Sequence, residues 1–403
     1  MAYNSGTDYS LTMARVFLFI LDGFGIGGAP DAADFGDEGA NTFTHLAARE
    51  KLEIPNLLSL GLSKAAALVS GADLFEAPNI GLWGCAREVS KGKDSVTGHW
   101  EIAGVPLAKD WVYFPHTIPA FPQNLMDEII TRCHLPGLLG LAHASGTQII
   151  EDLGEKHVRS GKPIMYTSAD SVIQFAAHEQ HFGLTRLYDV CQTARDLTID
   201  MNIGRVVARP FIGETAKTFE RTGNRKDYSL VAPSPTLLNI LTEAKRDIIT
   251  IGKIGDIFAH SGTATEVKVS GLDALMQTTM SEIPKLKEGG FLMTNFVNFD
   301  TDFGHRRDTK GYAKALAQFD LWLASAIRLL QNGDRLIITA DHGNDPTWAG
   351  SDHTREQVPI LCYGPDLKPG CIGKRQSFAD VGQAIAAYLA LPKLGAGEAF
   401  NLK

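Results

Sequence analysis

Six residues of the chain carry donor groups that suit divalent cations: Asp22, Asp300, His305, Asp341, His342 and His353. Three carboxylates and three imidazoles without a thiolate make a donor set for two hard or borderline ions, such as Mn²⁺, Mg²⁺ or Zn²⁺. A single Asp after a strand is ordinarily a turn former or helix cap, so the weight rests on the recurrence. A second stretch, GKDSVTGHWE at 92–101, sets Ser95, Thr97 and His99 among glycines. Taken alone it reads as a glycine-rich turn in which Ser95 or Thr97 caps a helix. Beside two cations it reads as a nucleophile: a metal ion lowers the pKa of a hydroxyl, and the free N–H groups of a helix start bind an anion.

The elements that must position these residues are legible. RVFLFILDGFG (15–25), FLMTNFVNFDTDFGH (291–305) and RLIITADHGND (335–345) each run from an apolar strand into an acid. Strands apolar on both faces belong in the middle of a sheet covered by helices, and open α/β sheets place their sites at the strands' carboxyl ends. Between the last two, Tyr312, Leu316, Phe319, Leu323, Ile327 and Leu330 recur at three- and four-residue spacing. That predicts an amphipathic helix ending near Gly333, hence a crossover unit of a parallel sheet. Further strands are expected at 247–252 and 358–364, and a closing helix over 379–389.

The middle of the chain has another character. From Trp111 to Tyr228, short elements such as PIMYTSAD and GRVVARPF alternate with polar loops, and none of the strand-end acids falls there. This predicts an inserted α+β domain at 111–228, flanked by a catalytic core at 1–110 and 229–403. The expected fold class is α/β, with a mostly parallel central sheet between helices.

Composition narrows the partners. The 403-residue chain is 44% hydrophobic and 21% charged, with a net charge of −8, so bulk electrostatics do not favour nucleic acid. An anionic substrate must meet local positive charge instead. Cys85, Cys133, Cys191, Cys362 and Cys371 form no CxxC pair and are odd in number, which speaks against a disulfide framework and suits a reducing, cytoplasmic setting. The polar first 14 residues carry no apolar run, and VFLFIL is too short to span a bilayer, so neither a signal peptide nor a membrane span is expected.

The chain resembles the phosphopentomutases of the alkaline phosphatase superfamily over nearly its whole length. The resemblance rests on DGFGIGGAPDA, GKDSVTGHWEIAG, MYTSADSVIQFAAHE, GRVVARPFIG, IGKIGDIF, FGHRRD, ITADHGNDP, DHTRE and SFADVG, in this order. It implies an alkaline-phosphatase-like core and a dimanganese site, in which Asp22, Asp341 and His342 hold one ion and Asp300, His305 and His353 the other. It makes Ser95 the phosphoryl carrier, where the family pattern has threonine, and leaves Thr97, His99 and Trp100 to shape the loop and its helix. The inserted domain would be a cap closing over a sugar phosphate, with Ser168, Asp170, Arg205 and Arg209 gripping ribose hydroxyls and the distal phosphate. Lys253 is a further phosphate candidate, while Arg306 and Arg307 are either phosphate ligands or structural partners. The implied substrates are small pentose phosphates, with glucose 1,6-bisphosphate or ribose 1,5-bisphosphate as activator and no obligatory protein partner. The rival readings are a metal-dependent phosphatase, phosphodiesterase or phosphoglycerate mutase of the same superfamily, or an inactive metal-binding scaffold.

Overall fold

The computed structural model describes residues 14–71, 73–168 and 171–403. Followed along the chain, the strands are β1 (Val16–Ile20), β2 (Leu82–Ala86), β3 (Leu139–His143), β4 (Ile164–Thr167), β5 (Val172–His178), β6 (Arg205–Ile212), β7 (Glu220–Arg221) and β8 (Lys226–Ser229). They continue with β9 (Ile248–Ile251), β10 (Thr265–Val267), β11 (Phe291–Asn295), β12 (Arg335–Thr339), β13 (Val358–Tyr363) and β14 (Gly370–Arg375). Two compact units result: one joins the chain up to Ala108 with Ala232–Lys403, and the other is Lys109–Val231. The insertion thus begins two residues earlier and ends three later than the 111–228 span read from composition.

The larger unit carries an eight-stranded sheet in the order β10-β9-β11-β1-β12-β13-β2-β14. Every residue of β1, β11 and β12 is buried, as expected of strands covered on both faces. β1 lies parallel to β11 and to β12, with Ile20 opposite both Asn295 and Thr339. This register brings the three carboxyl ends level, so the acids that follow them emerge side by side. β13 runs antiparallel to β12 and β2, which makes the sheet mixed but mostly parallel.

Three helices matter to the site or its frame: α1 (Ser95–Ile102), α2 (Thr309–Ile327) and α3 (Ala379–Tyr388). α2 buries Tyr312, Leu316, Phe319 and Leu323 along one stripe. It stops at Ile327 rather than near Gly333, because the N–H of Gln331 is taken by Asp334 Oδ2 at 2.8 Å, which turns the chain towards β12.

The smaller unit is α+β. Its sheet runs β3-β4-β5-β6-β7, with β8 also paired to β6. One face packs Met165, Ile173, Phe175, Val206 and Ala208 into an apolar cluster with the helix Leu184–Thr198. The other face begins apolar, with Ile164, Tyr166, Ala176 and Phe211, and carries Arg205 and Arg209 at alternate positions of β6.

Candidate metal centre and nucleophile

The level strand ends gather the six predicted ligands into two groups of three. Asp22, Asp341 and His342 offer donor atoms within 4.8 Å of one another, and Asp300, His305 and His353 do the same. In the first group His342 Nε2 lies 3.4 Å from Asp22 Oδ1 and 3.5 Å from Asp341 Oδ2. In the second, His305 Nε2 is 3.2 Å from Asp300 Oδ2, and His353 Nε2 is 3.3 Å from Asp300 Oδ1. The groups are neighbours, since the rings of His342 and His353 stand 4.0 Å apart between centroids.

The donor set fits cations. Asp341 Oδ2 and His353 Nε2 are buried without a hydrogen-bond partner, which polar atoms seldom tolerate unless another ligand takes them. Burial, reinforced by the Asp341 carboxylate, pushes the Asp22 carboxyl above its usual range. Burial works the same way on Asp341, but His342 and His99 outweigh it and hold that carboxyl down. A cation shared by the group would favour all three ligands in their binding forms.

Four of the six predicted ligands are oriented by a partner behind them. His342 donates from Nδ1 to Gly343 O at 3.0 Å and His305 from Nδ1 to Ser351 O at 2.6 Å, so both turn Nε2 inwards. Asn295 Nδ2 donates to Asp22 Oδ2 at 2.9 Å, and Asn344 Nδ2 to Asp300 Oδ1 at 2.6 Å. Arg307 in turn donates to Asn344 Oδ1 at 2.5 Å and to the carbonyls of Gly304, Gly350 and Asp352. That decides between the two roles open for Arg307: it braces the loops of His305 and His353. Arg306 is exposed. Asn295, Asn344 and Arg307 act through others, and no spacing rule in the sequence announces them.

Two buried ionisable side chains tie the loops together. Glu356 accepts from Gly27 N, Thr42 N, Thr42 Oγ1 and Thr354 Oγ1, with burial raising its carboxyl to about 7. Arg355 donates to Glu88 Oε2 and Gly92 O, each at 2.6 Å, and pairs with Asp31. The loop of His353 is thereby fastened to the turn that precedes Ser95.

At that turn the helix cap is Asp94 and not Ser95 or Thr97. Asp94 Oδ1 accepts from the N–H groups of Val96 and Thr97, and Thr97 Oγ1 completes a capping box with the Asp94 backbone. Ser95 therefore starts α1 with its hydroxyl free of capping duty. Its Oγ donates towards Asp22 Oδ1 at 3.4 Å and stands 3.2 Å from His342 Nε2. Thr97 is fully buried, and so are His99, Trp100 and Glu101. Trp100 Nε1 donates to Ile257 O at 3.2 Å, and Glu101 accepts from Val89 N, Ser90 N, Ser377 Oγ and Phe378 N, which pins α1 to the start of α3.

The remaining predicted residues lie elsewhere. Lys253 is exposed just beyond β9, at the same end of the sheet as the strand-end acids. In the smaller unit Ser168 follows β4 and is half-buried, while Asp170 lies outside the described residues. Arg209 is half-buried and donates from Nε to Gln174 Oε1 at 3.0 Å, and Tyr166 Oη donates to the same oxygen at 3.2 Å. Burial lowers the Arg209 pKa and the nearby cations Arg225 and Arg221 lower it further, while Arg225 itself is paired with Asp227. Sequence reading picked out Arg205 and Arg209 on β6 but missed Arg221 and Arg225. These come from β7 and the turn before β8, where only the pairing of both strands with β6 brings them close.

Comparison with known proteins bears on this geometry. Residues 14–393 match the model of the metalloenzyme superfamily. The chain is 55% identical over 394 residues to a phosphopentomutase of Chelativorans sp., covering 94% of this chain and 96% of the relative. It is 52% identical over 396 residues to one of Allorhizobium ampelinum, covering 94% and 98%. The chain belongs to the phosphopentomutase family. A third relative of that name, from Aeromonas hydrophila, is 50% identical over 401 residues, covering 96% of this chain and all of its own.

Helix α1 also approaches the predicted ligands closely. A Cβ on Gly98 would lie 1.9 Å from the carbonyl oxygen of Asp341, far inside contact. Gly98 is thus the residue that lets α1, which begins at Ser95, lie against the Asp341 backbone. Gly98→Ala is expected to fold yet shift α1 outwards, lowering kcat by about 100-fold, because sub-ångström aim at a reacting centre is worth that much. Steady-state kinetics with circular dichroism checks it; near-normal kcat would contradict the packing argument.

Proposed function

We propose that the chain interconverts ribose 1-phosphate and ribose 5-phosphate, and the 2-deoxy pair, by carrying the transferred phosphoryl group on Ser95. The observation that carries this reading is the free Ser95 hydroxyl, 3.4 Å from Asp22 and 3.2 Å from His342 at the edge of a two-group donor set. Asp22, Asp341 and His342 would hold one divalent ion and Asp300, His305 and His353 the other, Mn²⁺ being the expected metal and Mg²⁺ an alternative. When bound, such ions neutralise charge on a transferring phosphoryl group and align its oxygens.

In the forward direction the P–O bond to Ser95 breaks as the 5-hydroxyl of ribose 1-phosphate attacks the phosphorus. Ribose 1,5-bisphosphate and free Ser95 result. The Ser95 oxygen then attacks the phosphorus on the C1 oxygen, the bond from phosphorus to that oxygen breaks, and the C1 oxygen takes up a proton, leaving ribose 5-phosphate and a recharged enzyme. A sugar bisphosphate, glucose 1,6-bisphosphate or ribose 1,5-bisphosphate, would supply the first charge.

Arg205 and Arg209, with Arg221 and Arg225 close to Arg209, suit the phosphate that is not being transferred, since guanidinium forks bind phosphate oxygens in pairs. Ser168 and Asp170 are assigned to ribose hydroxyls and Lys253 to phosphate. The substrates are small molecules and neither nucleic acid nor membrane enters the reading; among the described residues no helix is long and apolar enough to cross a membrane. Five free cysteines are compatible with a cytoplasmic setting.

The test supplies ribose 1-phosphate, Mn²⁺ and catalytic glucose 1,6-bisphosphate, and follows products by phosphorus NMR. Ribose 5-phosphate should accumulate to an equilibrium mixture, and a chelator should stop it. Release of inorganic phosphate as the main product would make the enzyme a phosphatase and overturn the proposal.

A further inference from the structure

His99 takes no part in the reaction as written above, yet it is one of the most deliberately placed groups in the molecule. It is fully buried on α1, one turn after Ser95. Its Nδ1 donates to the carbonyl oxygen of Ser95 at 2.8 Å, and the same nitrogen lies 3.0 Å from Asp341 Oδ2. Its Nε2 is buried with no hydrogen-bond partner, and the ring stands edge-on to Phe258. A histidine kept only to fill space would be replaceable by an apolar ring. This one spends its N–H on the nucleophile's own peptide unit while touching the ligand oxygen that has no hydrogen-bond donor of its own. Gly98, the residue before it, is the point where α1 meets the Asp341 backbone. Two independent contacts therefore join the Ser95 turn to Asp341.

We infer that His99 is a positioning residue that fixes the Ser95 peptide against the Asp341 carboxylate, so that loading of the Asp22–Asp341–His342 group and the aim of the Ser95 hydroxyl are coupled. The inference rests on the reading of Ser95 as phosphoryl carrier and of the acids as ligands. The N–H on Nδ1 restrains the Ser95 carbonyl, and with it the rotation of the first turn of α1. The imidazole beside Asp341 Oδ2 limits where that oxygen can point. Weakening either contact frees both.

The test compares three full-length variants loaded with Mn²⁺. His99→Phe keeps a ring and removes both nitrogens. His99→Asn returns an amide N–H near the position of Nδ1, whereas His99→Gln places its amide nearer that of Nε2. Titration calorimetry with Mn²⁺ on the metal-stripped proteins is read together with kcat and KM for ribose 1-phosphate. His99→Phe should lose about 10- to 100-fold in affinity for one of the two ions, the range seen when a ligand's orienting partner is removed, and leave the other within twofold. Its kcat should fall by a similar factor with KM nearly constant. His99→Asn should recover most of both losses, and His99→Gln should behave like His99→Phe. Unchanged affinity for both ions and unchanged kcat in folded His99→Phe would overturn the inference. If His99→Phe does not fold, equal behaviour of His99→Asn and His99→Gln would do so. Ser95→Ala separates this from the underlying reading: turnover by that variant would remove the carrier assignment while leaving the metal titrations of the His99 variants informative.

Discussion

Ser95→Ala is expected to bind both metal ions, never to accept phosphate, and to lose turnover by on the order of 10⁴-fold or more, as removal of a covalent nucleophile does elsewhere. The structure separates this hydroxyl from its neighbours. Asp94 and Thr97 share the capping box, so Ser95 Oγ is left to face Asp22 and His342. Ser95→Thr should keep substantial activity, because threonine presents the same hydroxyl at the same Cβ. The extra methyl restricts χ1 and is expected to lower the rate modestly in a pocket shaped around serine. Thr97→Ala, by contrast, should lose only a cap, worth about 1 kcal/mol of stability, and keep the phosphoenzyme. Intact-protein mass after incubation with glucose 1,6-bisphosphate, followed by peptide mapping, distinguishes these outcomes. Phosphate on Thr97 and none on Ser95 would refute the assignment.

Much of this site could be read in the residue order, and the limits have physical causes. The strands β1, β11 and β12 announce themselves because a strand buried on both faces must be apolar throughout, and each runs on into its acid. What spacing alone could not supply is which acid is grouped with which imidazole. Asp22 and Asp341 are 319 residues apart, and only the register that sets Ile20 against Thr339 unites them. The resemblance to the family proposed that grouping, and the geometry has the same grouping. Partners such as Asn295, Asn344 and Arg307 stayed hidden because an amide behind a carboxylate has no period and no motif. The cap was different: Ser95 and Thr97 were both candidates, and Asp94 takes the role because its carboxylate reaches the N–H groups of Val96 and Thr97. In the inserted unit, alternate residues of β6 could be counted onto one face, whereas the arrival of Arg221 and Arg225 depends on two later strands pairing back onto it.

Asp341→Asn is expected to abolish mutase activity while leaving the fold intact, and the environment of its two oxygens explains why an isosteric change does so much. Oδ1 accepts from the N–H of Gly23 at 3.1 Å. Oδ2 lies 3.0 Å from His99 Nδ1 and 3.5 Å from His342 Nε2, and it has no hydrogen-bond donor. An asparagine must place its NH₂ on one side or the other. On the first side it meets the Gly23 N–H, donor against donor, and on the second it points hydrogens at the place a cation would occupy. Either way the negative charge is gone. Affinity for one ion should therefore fall severely, with kcat lower by about 10³-fold or more, since loss of a ligand exceeds the 10- to 100-fold cost of losing an orienting partner. Removing the Asp341 charge relieves its repulsion of Asp22, but it also withdraws the partner of His342 and His99, whose attraction holds the Asp341 carboxyl down. The rise in melting temperature on adding Mn²⁺ should shrink, because the variant holds one ion too weakly to be stabilised by it. Metal analysis, differential scanning calorimetry with and without Mn²⁺, and phosphorus NMR of turnover check the three parts. Full activity with two ions retained would remove Asp341 from the ligand set.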